Sequence, residues 1–464
     1  MASAAPAAPT ASPWPTFAIC AIGAYIPTFD FSVVNVAFPE IMRSFHGASR
    51  ADVSWVVTIY NIFFGSLLVV AGKTADRVGH KRIFQIGASV FALGSLVCFA
   101  APTLLWLVVG RAVQGAGGAF LAPATLGLLL GAFPPERRTE VVSMWGGIGA
   151  LGVASGPSIG AALISVTNWR AAFVVNVPIC IGAVVFGRSV LKASKGQTSA
   201  HRPDYFGAGL VTIALGALAL GVSQSDDWGW SSPKTIGSLL VAVVLVPTFI
   251  RRQARHVEPV LDLTLFRQKS FSVANATTLC FGAAFAALGL NNVLFLRQVW
   301  GWSVLHAGLA TAPGPIVVAL LARRTGRFAT RVGFRPVIVG GSLTVVFAGL
   351  LLIARMGARP SLALWLSCYL FVGVGVACVI SVNSSAAVST LEPNRFAIGG
   401  AVNNTSRQIG SVLGVALLVP VLGKPKGIDA LLASHKRGWW LVVIAALISA
   451  VVASVQPAKP RTRP

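Results

Sequence analysis

Long apolar runs alternate with short polar segments along nearly the whole chain. Each run approaches the roughly 20 residues that a helix needs to cross about 30 Å of hydrocarbon. The runs are continuously apolar and lack the alternation of barrel strands, so helices are what satisfies their backbone in lipid. The pattern predicts an all-α polytopic membrane protein. Its fourteen predicted spans are residues 16–38, 54–72, 83–101, 104–128, 141–165, 170–190, 205–223, 235–250, 273–296, 304–322, 336–355, 361–383, 398–421 and 438–455.

The composition agrees with this class and accounts for a high net charge. Hydrophobic residues make up 55% of the 464 residues, and the formal net charge is +24. Such a charge would suit a nucleic-acid-binding protein. With the N-terminus placed inside, however, most of the 37 Lys and Arg residues fall in loops on the inner side, where membrane proteins concentrate cations. We therefore expect a lipid bilayer and no nucleic acid as partner, with both termini cytoplasmic.

Two charged loops repeat one pattern and divide the chain into two related halves. GKTADRVGHKR begins at Gly72 and GRFATRVGFRP begins at Gly326, and each loop joins the second and third spans of a six-span set. Repeated halves around a central site are common in secondary transporters. The predicted organisation is a disordered cytoplasmic leader (1–15), an N-terminal six-helix bundle (16–190), a linker with two extra helices (191–271), a C-terminal six-helix bundle (272–455) and a cytoplasmic tail (456–464).

Cysteine, histidine and glycine patterns indicate no cofactor site. The six cysteines fall in apolar spans without a C-x-x-C pair, so we interpret them as packing residues. None of the six histidines lies deep in a predicted span, which argues against a histidine proton relay. The G-x-G-x-x-G match at Gly147 lies inside an apolar span, and Leu67 stands where a phosphate-binding loop before GKT requires glycine. We expect no cofactor, no metal and no enzymatic activity.

Three charged residues inside the spans are the candidates for chemistry. Asp30 is the single acid deep in a predicted span, and a charge there costs about 2.5–3.5 kcal/mol, so it is either a proton or cation carrier or a hydrogen-bonded structural acid. Arg111 lies at the same depth, about 12–13 Å below the outer edge. It is the predicted partner, either within a transport cycle or in a permanent ion pair. Arg407, next to Gln408, is either a substrate anchor or an interhelical hydrogen-bonding residue.

Six stretches, in chain order, resemble motifs of the major facilitator superfamily, specifically its fourteen-span drug/proton antiporters. They are FDFSVVNVAFP in span 1, GKTADRVGHKR between spans 2 and 3, RAVQGAGGAF in span 4, GVASGPSIGA in span 5, NWRAAFVVNVPI in span 6 and NNTSRQIGSVLGVAL in span 13. The resemblance covers nearly the whole chain. Two residues depart from the family pattern: His80 replaces the usual Arg of the first loop, and Ala161 replaces a glycine that closes the fifth-span motif.

The resemblance implies two six-helix bundles that rock about a central cavity, driven by the proton gradient. Asp30 would take a proton from the outer side, and Arg111 and Gln114 would tune this acid. The candidate cavity residues are Asn35, Tyr60, Arg407 and Gln408. The candidate gating loop consists of Gly72, Asp76, Arg77, Gly79, Lys81 and Arg82. The antiporter motif, which would seal the interface between the bundles, consists of Gly152, Gly156, Pro157 and Gly160.

The sequence thus predicts a monomeric, proton-coupled exporter of a hydrophobic or amphiphilic small molecule in the bacterial cytoplasmic membrane. The isolation of Asp30 and the cationic Arg407 favour a neutral or anionic substrate. The alternatives are proton-symport uptake, which the fifth-span motif disfavours, and a membrane sensor without transport, which Asp30 and Arg111 disfavour. Asp76 has no acidic counterpart in the second loop, where Thr330 stands. We hypothesise that Asp76 latches the cytoplasmic mouth in the outward-facing state.

Overall fold

Fourteen helices are long and apolar enough to cross a membrane in the computed structural model, which describes residues 12–192, 203–257, 259–391 and 396–457. No strand occurs within these ranges, so the predicted all-α membrane class is confirmed. We number the helices span 1 to span 14. They are Trp14–Ser44, Arg50–Val78, His80–Ala100, Leu104–Ala132, Met144–Val166, Ala171–Val190, Tyr205–Ser223, Pro233–Arg255, Lys269–Gln298, Val304–Val332, Phe334–Arg355, Leu362–Val388, Ile398–Leu422 and Ile428–Ser454.

Local chemistry at the helix ends explains several of these boundaries. Ser49 and Asp52 form a capping box at the start of span 2, with bonds of 3.1 and 2.9 Å between side chains and backbone amides. Gly79 and Gly333 have φ angles of 103° and 96°, which glycine adopts without steric cost. Each links the second and third helices of its half in one residue. The two loops with similar sequences therefore also share a backbone conformation.

Spans 1–6, here called the N-half, and spans 9–14, here called the C-half, have corresponding neighbours. Spans 1 and 5, 2 and 4, 3 and 4, and 3 and 6 pack together, as do spans 9 and 13, 10 and 12, 11 and 12, and 11 and 14. The two halves meet chiefly where span 2 packs against span 13 and span 5 against span 10. We call the end predicted to face the cytoplasm the inner end, and the opposite end the outer end.

Spans 7 and 8 pack against each other, and span 7 also contacts spans 2 and 13. A buried carboxylate, Asp204, joins the two extra helices at the inner end. It accepts hydrogen bonds from Gly207 N at 2.8 Å, Arg252 Nη2 at 2.7 Å and Gln253 Nε2 at 2.9 Å. Burial opposes ionisation of this carboxyl, but the three donors outweigh burial and hold the pKa of Asp204 below its ordinary value.

The domain boundaries stay a prediction. Most of the predicted leader, residues 1–11, lies outside the described residues, as do residues 193–202 of the linker and 458–464 of the tail. The helix of span 1 already begins at Trp14.

Candidate functional site

A fully buried ion pair lies among spans 1, 4 and 6. Asp30 and Arg111 are both 0% exposed, and Arg111 Nη1 donates a hydrogen bond to Asp30 Oδ2. The other carboxylate oxygen, Oδ1, accepts from Asn176 Nδ2 at 2.9 Å and from Gln114 Nε2 at 3.1 Å. The two charges that the sequence places at equal depth are therefore in contact, and both oxygens of Asp30 have donors. A buried charge requires this kind of satisfaction.

Arg111 has a second set of partners that does not depend on Asp30. Its Nε donates to Val56 O at 2.9 Å, and its Nη1 also donates to Gln114 Oε1 at 2.8 Å. The guanidinium carbon lies 4.2 Å from the centre of the Tyr60 ring, within the range of a cation–π interaction. The cluster therefore retains contacts to the arginine whether Asp30 is ionised or protonated. Protonation of Asp30 would remove its negative charge, and the guanidinium of Arg111 would still have hydrogen-bonding and aromatic partners.

The three glycines of the fifth-span motif allow span 5 to approach the helix that carries the acid. A Cβ atom added to Gly152, Gly156 or Gly160 would lie 2.3–2.6 Å from a side-chain atom of span 1. Such small-residue stripes bring membrane helices into close contact. Pro157 lies on another side of span 5, where its carbonyl oxygen would be 2.3 Å from a Cβ on Gly308 of span 10. The motif thus holds span 1 with its glycines and meets the C-half with its proline.

The loop between spans 2 and 3 is held by its glycine, by Lys81 and by Lys73, whose Nζ donates to Pro259 O at 3.0 Å. Gly79 supplies the left-handed turn, and Lys81 Nζ donates to Arg188 O at the end of span 6, at 2.7 Å. Gly72 faces span 4, where a Cβ would lie 3.6 Å from Pro123 Cβ. The predicted gating loop is therefore packed against spans 4 and 6 of its own half.

Asp76 faces solvent in this structure. Its side chain is 63% exposed and pairs with His80 Nε2 at 3.1 Å, across the turn at Gly79. The His80 ring lies on Gly127 of span 4, so closely that a Cβ there would be 1.9 Å from the ring. Arg77 and Arg82 are exposed. Asp76 thus contacts the histidine that departs from the family pattern.

Charged contacts join the two halves at their outer ends. Arg297, at the end of span 9, donates to the carboxylate of Glu40 near the end of span 1. The same guanidinium donates to Trp302 O at 2.5 Å, which fixes its position. Arg50 Nη1 donates to Gly423 O after span 13, at 3.2 Å. The outer ends of the halves are therefore held together, and the sequence reasoning missed the ion pair because its members are 257 positions apart.

A cavity of about 120 Å³ lies in the C-half, between spans 9, 12 and 13. Its polar side is formed by Thr278, Asn383, Asn403, Asn404 and Arg407. Arg407, a predicted substrate anchor, is half-buried and donates to Asn404 Oδ1 at 2.5 Å. This cavity therefore combines a cation with several amides, a pattern suited to a polar or charged group on a ligand.

The rest of the cavity lining is apolar and partly shaped by an irregular turn. Phe281 and Phe285 of span 9 line it together with Val379 and Ile380 of span 12. The last two belong to a π-helical turn, Ala377–Ser381. Such turns occur frequently at functional sites, since they change the direction of the side chains within a helix. The local sequence ACVIS carries no glycine or proline that would have signalled this turn.

Three of the four predicted cavity residues do not line this cavity. Asn35 Nδ2 donates to Phe31 O of its own helix at 3.1 Å. Gln408 packs across the interface between the halves, with its Cβ 2.7 Å from the position of a Cβ on Gly65. Tyr60 is buried against the guanidinium of the ion pair and donates to a backbone carbonyl of span 1 at 3.1 Å. Tyr60 thus belongs to the buried charge cluster.

One expectation about histidine is wrong. His435 is fully buried within the helix of span 14, and its Nδ1 lies 2.8 Å from Asn291 Oδ1 of span 9. The charged Lys436 and Arg437 led the predicted span to begin too late, whereas the helix begins at Ile428. The buried stripe that runs from His435 through Trp439 at helical spacing was the available signal.

Comparison with known proteins gives one consistent result. A family model described as Major Facilitator Superfamily matches residues 20–415. The chain is 30% identical over 408 residues to a tetracenomycin C resistance and export protein of Streptomyces glaucescens, a match that covers 88% of this chain and 75% of the relative. It is 32% identical over 403 residues to multidrug resistance protein Stp of Mycobacterium tuberculosis, covering 86% and 74%. It is 31% identical over 416 residues to a methylenomycin A resistance protein of Streptomyces coelicolor, covering 87% and 84%.

Proposed function

The chain belongs to the major facilitator superfamily, and we propose that it is a proton-coupled exporter of hydrophobic or amphiphilic small molecules. It is a multi-pass membrane protein, and its relatives are bacterial proteins named for resistance to, or export of, antibiotics and drugs. We therefore assign it to the bacterial cytoplasmic membrane. The concentration of Lys and Arg in the inner loops supports a cytoplasmic position for both termini. Its chemistry is then the exchange of a proton for a substrate.

The buried Asp30 cluster is the observation that carries the proposal. Asp30 is 0% exposed, and its carboxylate pairs with Arg111 inside the membrane spans. Protonation of Asp30 weakens its bond to Arg111, which retains Val56 O, Gln114 Oε1 and the Tyr60 ring as partners. Arg111 therefore keeps partners in either protonation state of Asp30, although loss of the carboxylate charge costs free energy that the transport cycle must supply. In the proposed cycle, it loads from the outer side and releases to the inner side.

The close packing of span 5 on span 1 supports transmission of this event. Side chains of span 1 lie directly on the glycines of span 5, with no room for a Cβ on any of the three glycines. Pro157 of the same span contacts span 10 of the C-half. A shift of span 1 on protonation would thus be carried to the interface between the halves. Rigid packing transmits displacement because well-packed helices have few intermediate arrangements.

The two ends of the molecule supply complementary latches in this proposal. The ion pair between Glu40 and Arg297 holds the outer end closed. Asp76 is exposed and bonded only to His80 of its own half in the described contacts, as expected of an inner latch that engages when the outer end opens. The alternation of these two latches would give the alternating access that antiport requires.

Accumulation assays in a host that lacks its own drug pumps test the proposal. Cells expressing the wild type should accumulate neutral or anionic hydrophobic antibiotics several-fold less than cells with empty vector, and a protonophore should remove the difference. Asp30→Asn should remove it as well, whereas Asp429→Asn, which changes an exposed acid, should have no effect. Equal accumulation for wild type and Asp30→Asn that ignores the protonophore would refute proton-coupled export.

A further inference from the structure

We propose that the C-half cavity selects an aromatic organic anion. The inference rests on the proposed function, because it takes this cavity as the substrate site, and it adds the charge and the ring character of that substrate. Two independent features of the cavity lead to it: its cation and its apolar wall.

The cation of the cavity has no acidic partner in the part of the chain that the structure describes. Arg407 donates to the neutral Asn404 Oδ1, and no described carboxylate lies within 4.0 Å of its guanidinium. Arg111, the other arginine in the middle of a span, is by contrast paired with Asp30. A guanidinium in an apolar surrounding is stabilised by an anion and binds carboxylates or enolates through two parallel hydrogen bonds. We infer that the negative charge comes from the molecule that binds in the cavity.

The amide groups of the cavity surround Arg407 with neutral side chains. Asn383 Nδ2 donates to Ala274 O at 2.7 Å and to Thr278 Oγ1 at 2.6 Å, and Asn403 Nδ2 donates to the same hydroxyl at 2.8 Å. These bonds orient polar groups in the cavity but supply no negative charge to the guanidinium.

The remaining wall suits the flat face of a ring. Phe281 and Phe285 come from span 9, and Val379 and Ile380 come from the π-helical turn of span 12. A volume of about 120 Å³ is close to that of an engineered cavity that holds one benzene ring. One ring of the substrate therefore fits between these apolar side chains, next to Arg407.

A negative charge on the substrate changes the driving force for export. Exchange of one proton moving inward for one monoanion moving outward transfers two charges in the same electrical direction. Export of such an anion should therefore respond to the membrane potential as well as to the pH gradient. Export of a neutral molecule in the same exchange would transfer one charge.

Direct binding to the purified full-length protein in nanodiscs tests the substrate class. The probes are 3-hydroxy-2-naphthoate, its neutral amide 3-hydroxy-2-naphthamide, and the cation ethidium, each titrated calorimetrically at pH 7.5. Wild type should bind the naphthoate at least about tenfold more tightly than the amide, the size expected for a charge-assisted hydrogen bond. Arg407→Gln should abolish this preference, Arg407→Lys should keep part of it, and the exposed Arg323→Gln should leave it unchanged.

The outcomes separate this inference from the proposed function. A wild type that binds the amide or ethidium as tightly as the naphthoate, or that binds none of the three, overturns the assignment of an anion. Equal weakening of naphthoate and amide by Arg407→Gln also overturns it, because an arginine that recognises negative charge contributes more to binding of the anion than to binding of the amide. Asp30→Asn should bind the naphthoate like wild type yet lose gradient-driven export. Intact anion binding without export in wild-type vesicles would refute the proposed function alone.

Discussion

Removing either charge of the Asp30–Arg111 pair should destabilise the protein far more than removing both. Asp30 offers two acceptor oxygens to three donors, from Arg111, Gln114 and Asn176. Asparagine has one oxygen, so Asp30→Asn must turn an N–H toward at least one donor and leaves a buried guanidinium without its counter-charge. Arg111→Gln leaves the converse, a buried carboxylate. Breaking a buried pair from one side costs about 3–5 kcal/mol.

The double variant Asp30→Asn/Arg111→Gln carries no buried charge, and two amides can bond to each other. Replacement of a whole buried pair is often close to neutral, so we expect its free energy of unfolding within about 1 kcal/mol of wild type. The coupling energy in the double-mutant cycle should therefore reach about 3 kcal/mol or more. The double variant should nevertheless fail to export against a gradient, because it has no group to carry the proton.

Unfolding in mixed detergent micelles with rising SDS, followed by tryptophan fluorescence, measures the four free energies. The exposed Arg323→Gln serves as the control for charge removal without burial. Additive losses in the double variant would contradict the reasoning, as would single variants that lose less than about 1 kcal/mol. A double variant that still exports in response to the proton gradient would show that the pair is structural and that the proton is carried elsewhere.

Three further predictions follow from other contacts. Gly152→Ala should reduce both stability and export because its Cβ would lie 2.3 Å from a span 1 hydroxyl, whereas Gly149→Ala, with its nearest contact at 4.0 Å, should be tolerated in the same assays. Glu40→Gln should raise, and Asp76→Asn should lower, the fraction of outward-open protein measured by cysteine accessibility; an unchanged balance in Asp76→Asn would exclude the inner latch. Asp204 has a folded pKa below its unfolded value, so its stabilisation should be complete above about pH 4 and decline as pH falls through the folded pKa. Asp204→Asn should unfold more readily at pH 7, and its free energy of unfolding should fall less than that of wild type as the pH is lowered. The same pH dependence of unfolding in both proteins would show that Asp204 does not cause it.

The sequence by itself determined the membrane class and the positions of the helices, since apolar run length is a local property that decides whether a segment crosses lipid. Similar local reasoning identified Asp30 and Arg111 as residues at one depth, because rise per residue converts position in a span into height. It also identified the two charged loops as equivalent, and the structure shows that both turn at a glycine with positive φ. Prediction from apolar runs was less reliable where charged residues interrupt a run, and the predicted start of span 14 therefore lies after His435.

Only the tertiary structure decided which helices face each other. It brought Asn176 to Asp30, joined Glu40 to Arg297, placed the fifth-span glycines against span 1, and moved Tyr60 from an expected cavity to the buried ion pair. It also located the cavity beside Arg407 in the C-half. The reason is physical: helical periodicity specifies which residues share a face. The neighbour that covers this face is chosen by the interlocking of side chains from segments far apart in the chain, and a linear pattern does not contain that information.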